Sequence, residues 1–305
     1  MKIQEKIGGG SSTLRLALVG LPNAGASTFF NALTLQRRSA SPFLGETRSA
    51  ASGIMSLDDT YFERLCEVYR PQRRRPLELR LFESPSLLSG QRKVLKNDLV
   101  IYVVRAFEGE KVTHFGRKVD PNKDLQLLAS PEPSIVLING HERHFLLGQK
   151  RKDVVEVAND LGIRHVVFAS AAFEERLQSL REKGQLEDYL DAHPTHHSAK
   201  DAILSATFAE LDLITVYTCS DDEVRAYAIR DGTTVMDFAN IVHELIARNF
   251  LLAEIAHFND FFLLHENNNN YSFLEAEARR QKKVQRCGPK VILEDRQLVF
   301  FHFKV

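Results

Sequence analysis

Short apolar runs alternating with helix-period segments fill the first two-thirds of the chain. Leu14–Val19, Leu77–Phe82, Leu99–Arg105, Ile135–Asn139 and His165–Ala169 have strand length and the near-continuous apolar character of strands buried on both faces. Between them, Ser27–Leu35 sets Phe29, Phe30 and Leu33 at helical spacing, Asp58–Tyr69 opens with carboxylates, and Lys152–Leu161 is closed by Gly162. This alternation predicts a mostly parallel sheet with helices on both faces, an α/β class. After residue 208 the pattern changes. Ile214–Cys219 and Glu223–Arg230 read as strands joined by Ser220-Asp221-Asp222, a hairpin signal. A helix over Thr234–Ala247, then Phe250–His257, a polar loop with Asn267–Asn270, a basic helix, and the closing segments Lys290–Leu293 and Gln297–Lys304 suit a small α+β domain. The predicted domains are residues 1–208 and 209–305, with Asp191–Lys200 as linker and no internal repeat.

The 305 residues leave room for two domains, and 44% hydrophobic with 26% charged residues describes a folded chain rather than a disordered one. Forty basic residues balance forty acidic ones, so affinity for nucleic acid must come from local patches. No apolar run approaches the roughly 20 residues that cross a bilayer, and no membrane partner is expected. Met1–Thr13 lacks the apolar core of a secretory signal, and Cys66, Cys219 and Cys287 are odd in number and far apart. A reducing compartment follows, the cytoplasm first and the mitochondrion as the alternative, with a monomer favoured.

Gly20 to Thr28 reads G-L-P-N-A-G-A-S-T. Gly20, Gly25 and Ser27 fall on the phosphate-loop pattern G-x-x-x-x-G-K-[ST], while Ala26 stands where the lysine belongs. The predicted strand before the loop and helix after it are the context the motif requires. Backbone N–H groups of Asn23, Ala24, Gly25, Ala26, Ser27 and Thr28 would cradle phosphate whatever residue stands at 26. Ser27 supplies a hydroxyl for Mg²⁺. The missing lysine removes a charge-assisted interaction worth roughly 1.5–3 kcal/mol, about tenfold to a hundredfold in affinity. Its cost to a phosphoryl-transfer transition state is larger.

The run G-L-P-N-A-G-A-S-T-F-F-N-A-L resembles the loop of the Obg-like ATPases, the YchF family of translation-factor-class P-loop proteins. Val103–Glu108, Val112-Thr113-His114 and Val119-Asp120-Pro121 are similar to a further segment of that family. Glu223–Thr233 resembles the opening of its C-terminal TGS domain, and Glu294–Val305 that domain's end. The resemblance implies a P-loop domain followed by a β-grasp-like TGS domain, binding of ATP or GTP with the choice between them left open, Mg²⁺ as cofactor, and a ribosome or ribosomal RNA as partner. At the base end, Asn139-Gly140-His141-Glu142 matches the family's N-x-x-E, and Ser170-Ala171-Ala172 its S-A-K loop without the lysine. Asn139, Gly140, Glu142, Ser170 and Ala171 are therefore the implied base-binding residues.

The departures gather where the γ-phosphate and Mg²⁺ would sit. The family's D-I-A-G becomes Glu83-Ser84-Pro85-Ser86, placing Glu83 at the aspartate and Ser86 at the glycine. Its Y-P-F-C-T becomes Ser41-Pro42-Phe43-Leu44-Gly45, leaving Thr47 as the nearest hydroxyl for the metal. Ala26, Glu83 and Ser86 thus mark a degenerate member with impaired hydrolysis. An active ATPase or GTPase using Arg37, Arg38, Arg92 or Lys93 in place of the lysine is one alternative, and a structural subunit with an empty pocket is another. Asp120-Pro121 is followed soon by the Ile135 strand, so the family's coiled-coil arm is absent. Two basic clusters, Tyr69–Pro76 and Arg279, Arg280, Lys282, Lys283, Arg286, are candidate RNA contacts. His193, His196 and His197 lack neighbouring ligands at metal spacing and read as a polar linker.

Overall fold

The computed structural model describes residues 13–34, 51–57, 59–83, 98–106, 113–114, 117–118, 120–128, 133–148, 152–262 and 271–304. Its elements begin with β1 (Thr13–Gly20), α1 (Ala26–Thr34), β2 (Ala51–Ser56), α2 (Thr60–Tyr69), β3 (Arg73–Arg75), β4 (Glu78–Glu83) and β5 (Leu99–Arg105). There follow β6 (Thr113–His114), β7 (Arg117–Lys118), α3 (Pro121–Leu128), β8 (Ser134–Asn139), α4 (Glu142–Leu146), α5 (Lys152–Asp160), β9 (His165–Ala169), α6 (Ala171–Glu182), α7 (Leu186–Ala192) and α8 (Ala199–Glu210). The C-terminal third holds β10 (Leu213–Cys219), β11 (Glu223–Arg230), α9 (Val235–Val242), α10 (Glu244–Arg248), β12 (Phe250–His257), α11 (Phe258–Phe262), α12 (Tyr271–Arg280), β13 (Val284–Cys287) and β14 (Gln297–Phe303).

Two compact units emerge, and they do not follow a single cut in the chain. One comprises Arg15–Met55 with Leu79–Leu211; the other takes the described residues of Met1–Leu14, Ser56–Glu78 and Asp212–Val305. The junction near residue 211 lies close to the expected boundary, but Ser56–Glu78 is built into the C-terminal unit. Asp191–Lys200 is no linker: it carries the end of α7 and the start of α8 within the first unit.

In the first unit the strands run in the order β2-β4-β1-β5-β8-β9, with β1–β5, β5–β8 and β8–β9 parallel. Ala17, Val19, Val100, Tyr102, Val104, Val136 and Ile138 point to one face and pack with Leu125 of α3 and Val154 and Ala158 of α5. That two-residue alternation on strands apolar on both faces is the predicted doubly covered sheet. On α6, buried Glu174 accepts from Ser198 Oγ and the Ala199 N–H, each at 2.7 Å, and so fixes the start of α8. Burial raises its pKa, and those two bonds oppose the rise. Only residues 129–133 separate α3 from β8, which leaves no room for a helical arm.

In the C-terminal unit β10 and β11 form the expected hairpin, and β14 lies beside β10 in parallel. The sheet order is β13-β12-β14-β10-β11-β3, with β3 as an added edge strand. Hairpin, helix and a parallel return to the first strand make a β-grasp-like arrangement. Val216, Tyr227, Ile229, Phe238, Ile255 and Val299 form a core beneath α9. The predicted helix over Thr234–Ala247 is interrupted at His243, whose extended backbone ends α9 and whose ring caps α10. Cys66 and Cys287 are buried free thiols, and desolvation pushes the Cys66 pKa up to about 11.

Glu254 on β12 is 3% exposed and accepts from Arg279 Nε at 2.9 Å and Arg286 Nε at 3.2 Å, with His302 Nε2 at 3.3 Å. Burial works to raise its pKa, but these donors outweigh it and hold the carboxylate below its usual range. A depressed carboxylate adds stability that is present above the unfolded pKa of about 4.3 and is lost as pH falls through the folded value. Unfolding midpoints measured from neutral pH downward should therefore drop below that point. In Glu254→Gln the acid slope should be shallower; an unchanged slope would show that the cluster is neutral to folding.

Candidate nucleotide site

Gly20 ends β1 and Ala26 opens α1, so a five-residue turn joins a buried strand directly to a helix N-terminus. The Ala24 N–H donates to Leu21 O at 3.0 Å, and the Phe29 N–H to Gly25 O at 2.9 Å, closing the loop and starting the helix. Gly25 has φ 98°, and a Cβ there would lie 2.2 Å from Asn139 Nδ2, so backbone and space both demand glycine. The first N–H groups of α1, including those of Ser27 and Thr28, have no carbonyl a turn earlier within the helix and face outward from its positive end. An anion fits this cradle. Ala26 contributes no charge to it.

Asn139 organises the site. It is 3% exposed, its Nδ2 donates to Ala24 O at 2.9 Å, and its Oδ1 accepts from the Ala171 N–H at 3.0 Å. One side chain at the end of β8 thereby ties the phosphate loop to the loop after β9. Parallel strand order brings the three together: β1, β5, β8 and β9 are successive neighbours, and their C-terminal ends share one edge. Gly140 donates to Ala169 O at 2.8 Å, and Ser170 caps α6 by accepting from the Phe173 N–H. Ser170 and Ala171, both expected at the base end, thus each make a bond within the protein, through the Ser170 hydroxyl as acceptor and the Ala171 N–H as donor. Glu142, at the start of α4, meets Arg176 Nη1 at 2.9 Å.

Glu83, at the end of β4, accepts a hydrogen bond from Ser27 Oγ. The sequence reading counts Glu83 among the losses, yet its longer side chain still reaches the hydroxyl. A carboxylate beside a hydroxyl offers the hard oxygen donors Mg²⁺ prefers. Ser27 and Glu83 therefore fit a divalent cation, which would supply the positive charge that position 26 lacks. Ser86, Gly45 and Thr47 lie outside the described residues, as do Arg37, Arg38, Arg92 and Lys93.

Sequence reasoning passed over the neighbourhood of Arg176. Its guanidinium lies 5.0 Å from the Tyr189 ring centre, and Tyr189 stacks on His193 at 4.5 Å and donates or accepts with His196 Nδ1 at 2.8 Å. The aromatic spacing Tyr189 and His193, one helical turn apart, was the available signal. Desolvation, followed by the like charges of His193 and Arg176, lowers the His196 pKa. Among the described residues no group of three or more His, Cys, Asp or Glu could hold a metal.

The two basic clusters are largely paired. Arg279 bonds Glu254 and Glu275, Arg280 bonds Glu277 at 2.7 Å, Lys283 meets Asp260 at 2.8 Å, and Arg286 bonds Glu254. Lys282 adopts a left-handed conformation at the end of α12. Arg73 pairs with Asp222, Arg74 with Glu63 and Arg75 with Glu223. An RNA phosphate would have to compete with these carboxylates.

A strand, a glycine loop and a helix, locked by an asparagine from a neighbouring strand end, define a P-loop nucleotide-binding domain. Comparison with known proteins places it more closely. Residues 15–140 match the MMR_HSR1 family, described as "50S ribosome-binding GTPase", and residues 213–304 match YchF-GTPase_C, described as "Protein of unknown function (DUF933)". Obg-like ATPase 1 of Rattus norvegicus is 25% identical over 384 positions, covering 97% of this chain and 94% of the relative. That of Schizosaccharomyces pombe is 25% identical over 343 positions, covering 82% and 86%. The solved Schizosaccharomyces pombe YchF GTPase shares the fold with a TM-score of 0.71 at 22% identity, over 95% of this chain and 97% of that one. A GTP-binding protein from Pyrococcus horikoshii reaches 0.58 at 15% identity, over 95% and 100%. The chain belongs to the Obg-like ATPase, or YchF, family of nucleotide-binding ATPases and GTPases. Among the described residues no helix is long and apolar enough to cross a membrane.

Proposed function

We propose that this protein is an Obg-like factor that holds a nucleotide without turning it over efficiently and acts at the ribosome. The carrying observation is the Asn139 tether, which keeps the loop in its phosphate-binding shape although Ala26 brings no charge to it. A domain that had abandoned ligands has no need of a glycine at φ 98° pressed against a buried asparagine. Hydrolysis needs charge stabilisation in the transition state beyond what binding needs, and lysine is the loop's main source of it. Ser86 in place of the switch glycine removes a γ-phosphate contact implied by the family. The nucleotide is ATP or GTP, with Mg²⁺ held by Ser27 and Glu83. Support for the ribosome comes from the description of the matched N-terminal family and from the resemblance of the C-terminal unit to a TGS domain.

The persistence of Glu83 at Ser27 favours one other reading, an atypical ATPase with a substitute basic residue. Titration calorimetry with ATP, ADP, GTP and GDP, with Mg²⁺, followed by single-turnover hydrolysis, separates the two. Binding at micromolar to millimolar concentration with negligible turnover is expected. Turnover abolished by Ser27→Ala would establish the atypical enzyme instead, and absence of heat with all four nucleotides would leave a structural subunit. Co-sedimentation with a ribosomal subunit tests the partner.

A further inference from the structure

On the face of the C-terminal sheet away from α9, three basic side chains gather on one buried carboxylate. Glu254 stands opposite Arg286 of β13 and Phe300 of β14 in the antiparallel ladders, and residues so paired project from the same face. Val299 and Phe301 pack into the core beneath α9, which puts Phe300 and His302 on the other side. The Glu254 side chain is 4% exposed, whereas those of Arg286, His302 and Arg279, all paired with it, are 77%, 46% and 40% exposed. Glu275, the second carboxylate on Arg279, is likewise the more covered partner. The negative charge of the cluster therefore lies beneath and the positive charge outside. Lys304, exposed and two residues beyond His302, adds to that outer layer.

Among the described residues Arg286 bonds through Nε alone, which leaves the two outer nitrogens, Nη1 and Nη2, for a ligand. A guanidinium presents paired N–H groups that match two oxygens of a phosphate. An unsupported surface arginine loses rotamer freedom when it binds; here the buried carboxylate has already restricted it. Phe300, partly exposed, sets an aromatic ring among these cations, where a base can stack. Arg280 and Lys283 differ. Arg280 gives both Nε and Nη2 to Glu277, and Lys283 gives its ammonium to Asp260.

We propose that Arg286, Arg279, His302 and Phe300 form a surface for single-stranded RNA. Phosphates meet the arginines, a base meets Phe300, and Glu254 is the residue that positions the arginines. A duplex keeps its base faces inside the stack and cannot use Phe300. An acidic protein segment would bring negative charge but no base. As an account of how the protein acts at the ribosome the proposal rests on the reading above; the RNA-binding surface stands or falls by itself.

Fluorescence anisotropy of the full chain with a labelled single-stranded oligoribonucleotide of about ten nucleotides, titrated at a series of salt concentrations, tests it. The unaltered protein should bind, with affinity falling as salt rises. Arg286→Ala should weaken binding and lower the slope of log affinity against log salt by about 0.7, the share of one phosphate on a single strand. Arg286→Lys should restore the slope. Phe300→Leu should cost about fivefold to a hundredfold in affinity and leave the slope alone, while binding of a duplex should be indifferent to it. Glu254→Gln removes a negative charge, so a patch acting by net charge would bind more tightly, whereas loss of positioning should weaken binding. Arg280→Ala should bind as the unaltered protein does. Absence of binding at low salt, full binding by both Arg286→Ala and Phe300→Leu, or tighter binding by Glu254→Gln would each overturn the proposal. RNA binding that needs Arg286 and Phe300, without co-sedimentation with a ribosomal subunit, would overturn the ribosome reading and leave the surface standing.

Discussion

Asn139→Ala is expected to lower the stability of the nucleotide-binding unit by about 2–4 kcal/mol, among the largest effects of any polar substitution in it. The side chain is almost wholly buried and both ends of its amide are used. Its removal leaves the Ala24 carbonyl and the Ala171 N–H without their partner, in a place where both residues are 5% exposed. Each orphaned group costs about 1–3 kcal/mol, well above the net value of a made hydrogen bond. The loop also loses the contact against which Gly25 is packed, so nucleotide binding should weaken along with stability. Asn139→Asp is the informative companion. It keeps an acceptor for the Ala171 N–H but turns a carboxylate oxygen toward the Ala24 carbonyl, and should be no better than alanine. Urea unfolding of both variants measures the effect, and a loss below about 1 kcal/mol would show that the two loops hold their shape without the tether.

That role shows what the residues in line could and could not disclose. The strand, loop and helix around Gly20–Thr28 were legible because local periodicity and glycine placement specify them. The parallel sheet was legible because its strands are apolar on both faces. Asn139 was found by its place after a buried strand, but its partners were not, since they are 115 and 32 residues away in the chain. The placement of Ser56–Glu78 was hidden for the same reason: nothing in a helix pattern says which sheet it will cover. The bond between Glu83 and Ser27 was not legible, because a one-methylene change in sequence does not say whether the carboxylate still reaches the hydroxyl. The pairing of the basic clusters was hidden in a related way. Positive charge is visible in sequence, but the carboxylates that neutralise Arg279, Arg280, Lys283 and Arg286 come mostly from other elements or earlier turns.

Restoring the absent charge gives the other large expected effect. Ala26→Lys should tighten ATP binding by about tenfold to a hundredfold, the worth of one charge-assisted interaction of roughly 1.5–3 kcal/mol. Ala26 sits in the first turn of α1, next to Ser27, and is only partly buried, so a longer side chain can leave the loop toward the phosphates. On the proposed reading, a metal held by Ser27 and Glu83, which are hydrogen-bonded to one another, would be the cation available to those phosphates from the described site. Without it, the Glu83 carboxylate beside Ser27 would add negative charge near the phosphates. Binding should therefore fall steeply when Mg²⁺ is withdrawn with chelator, and Ala26→Lys should make that fall smaller. Hydrolysis should remain slow in the variant if, as the family resemblance implies, Ser86 stands at the switch glycine and Gly45 at the metal-sensing hydroxyl. Calorimetric affinities with and without Mg²⁺, beside single-turnover hydrolysis, test each part. Full turnover gained from this one substitution would place the whole catalytic defect at position 26 and show that the switch residues function as they are. An affinity unchanged by lysine would mean that a basic residue elsewhere already supplies the charge.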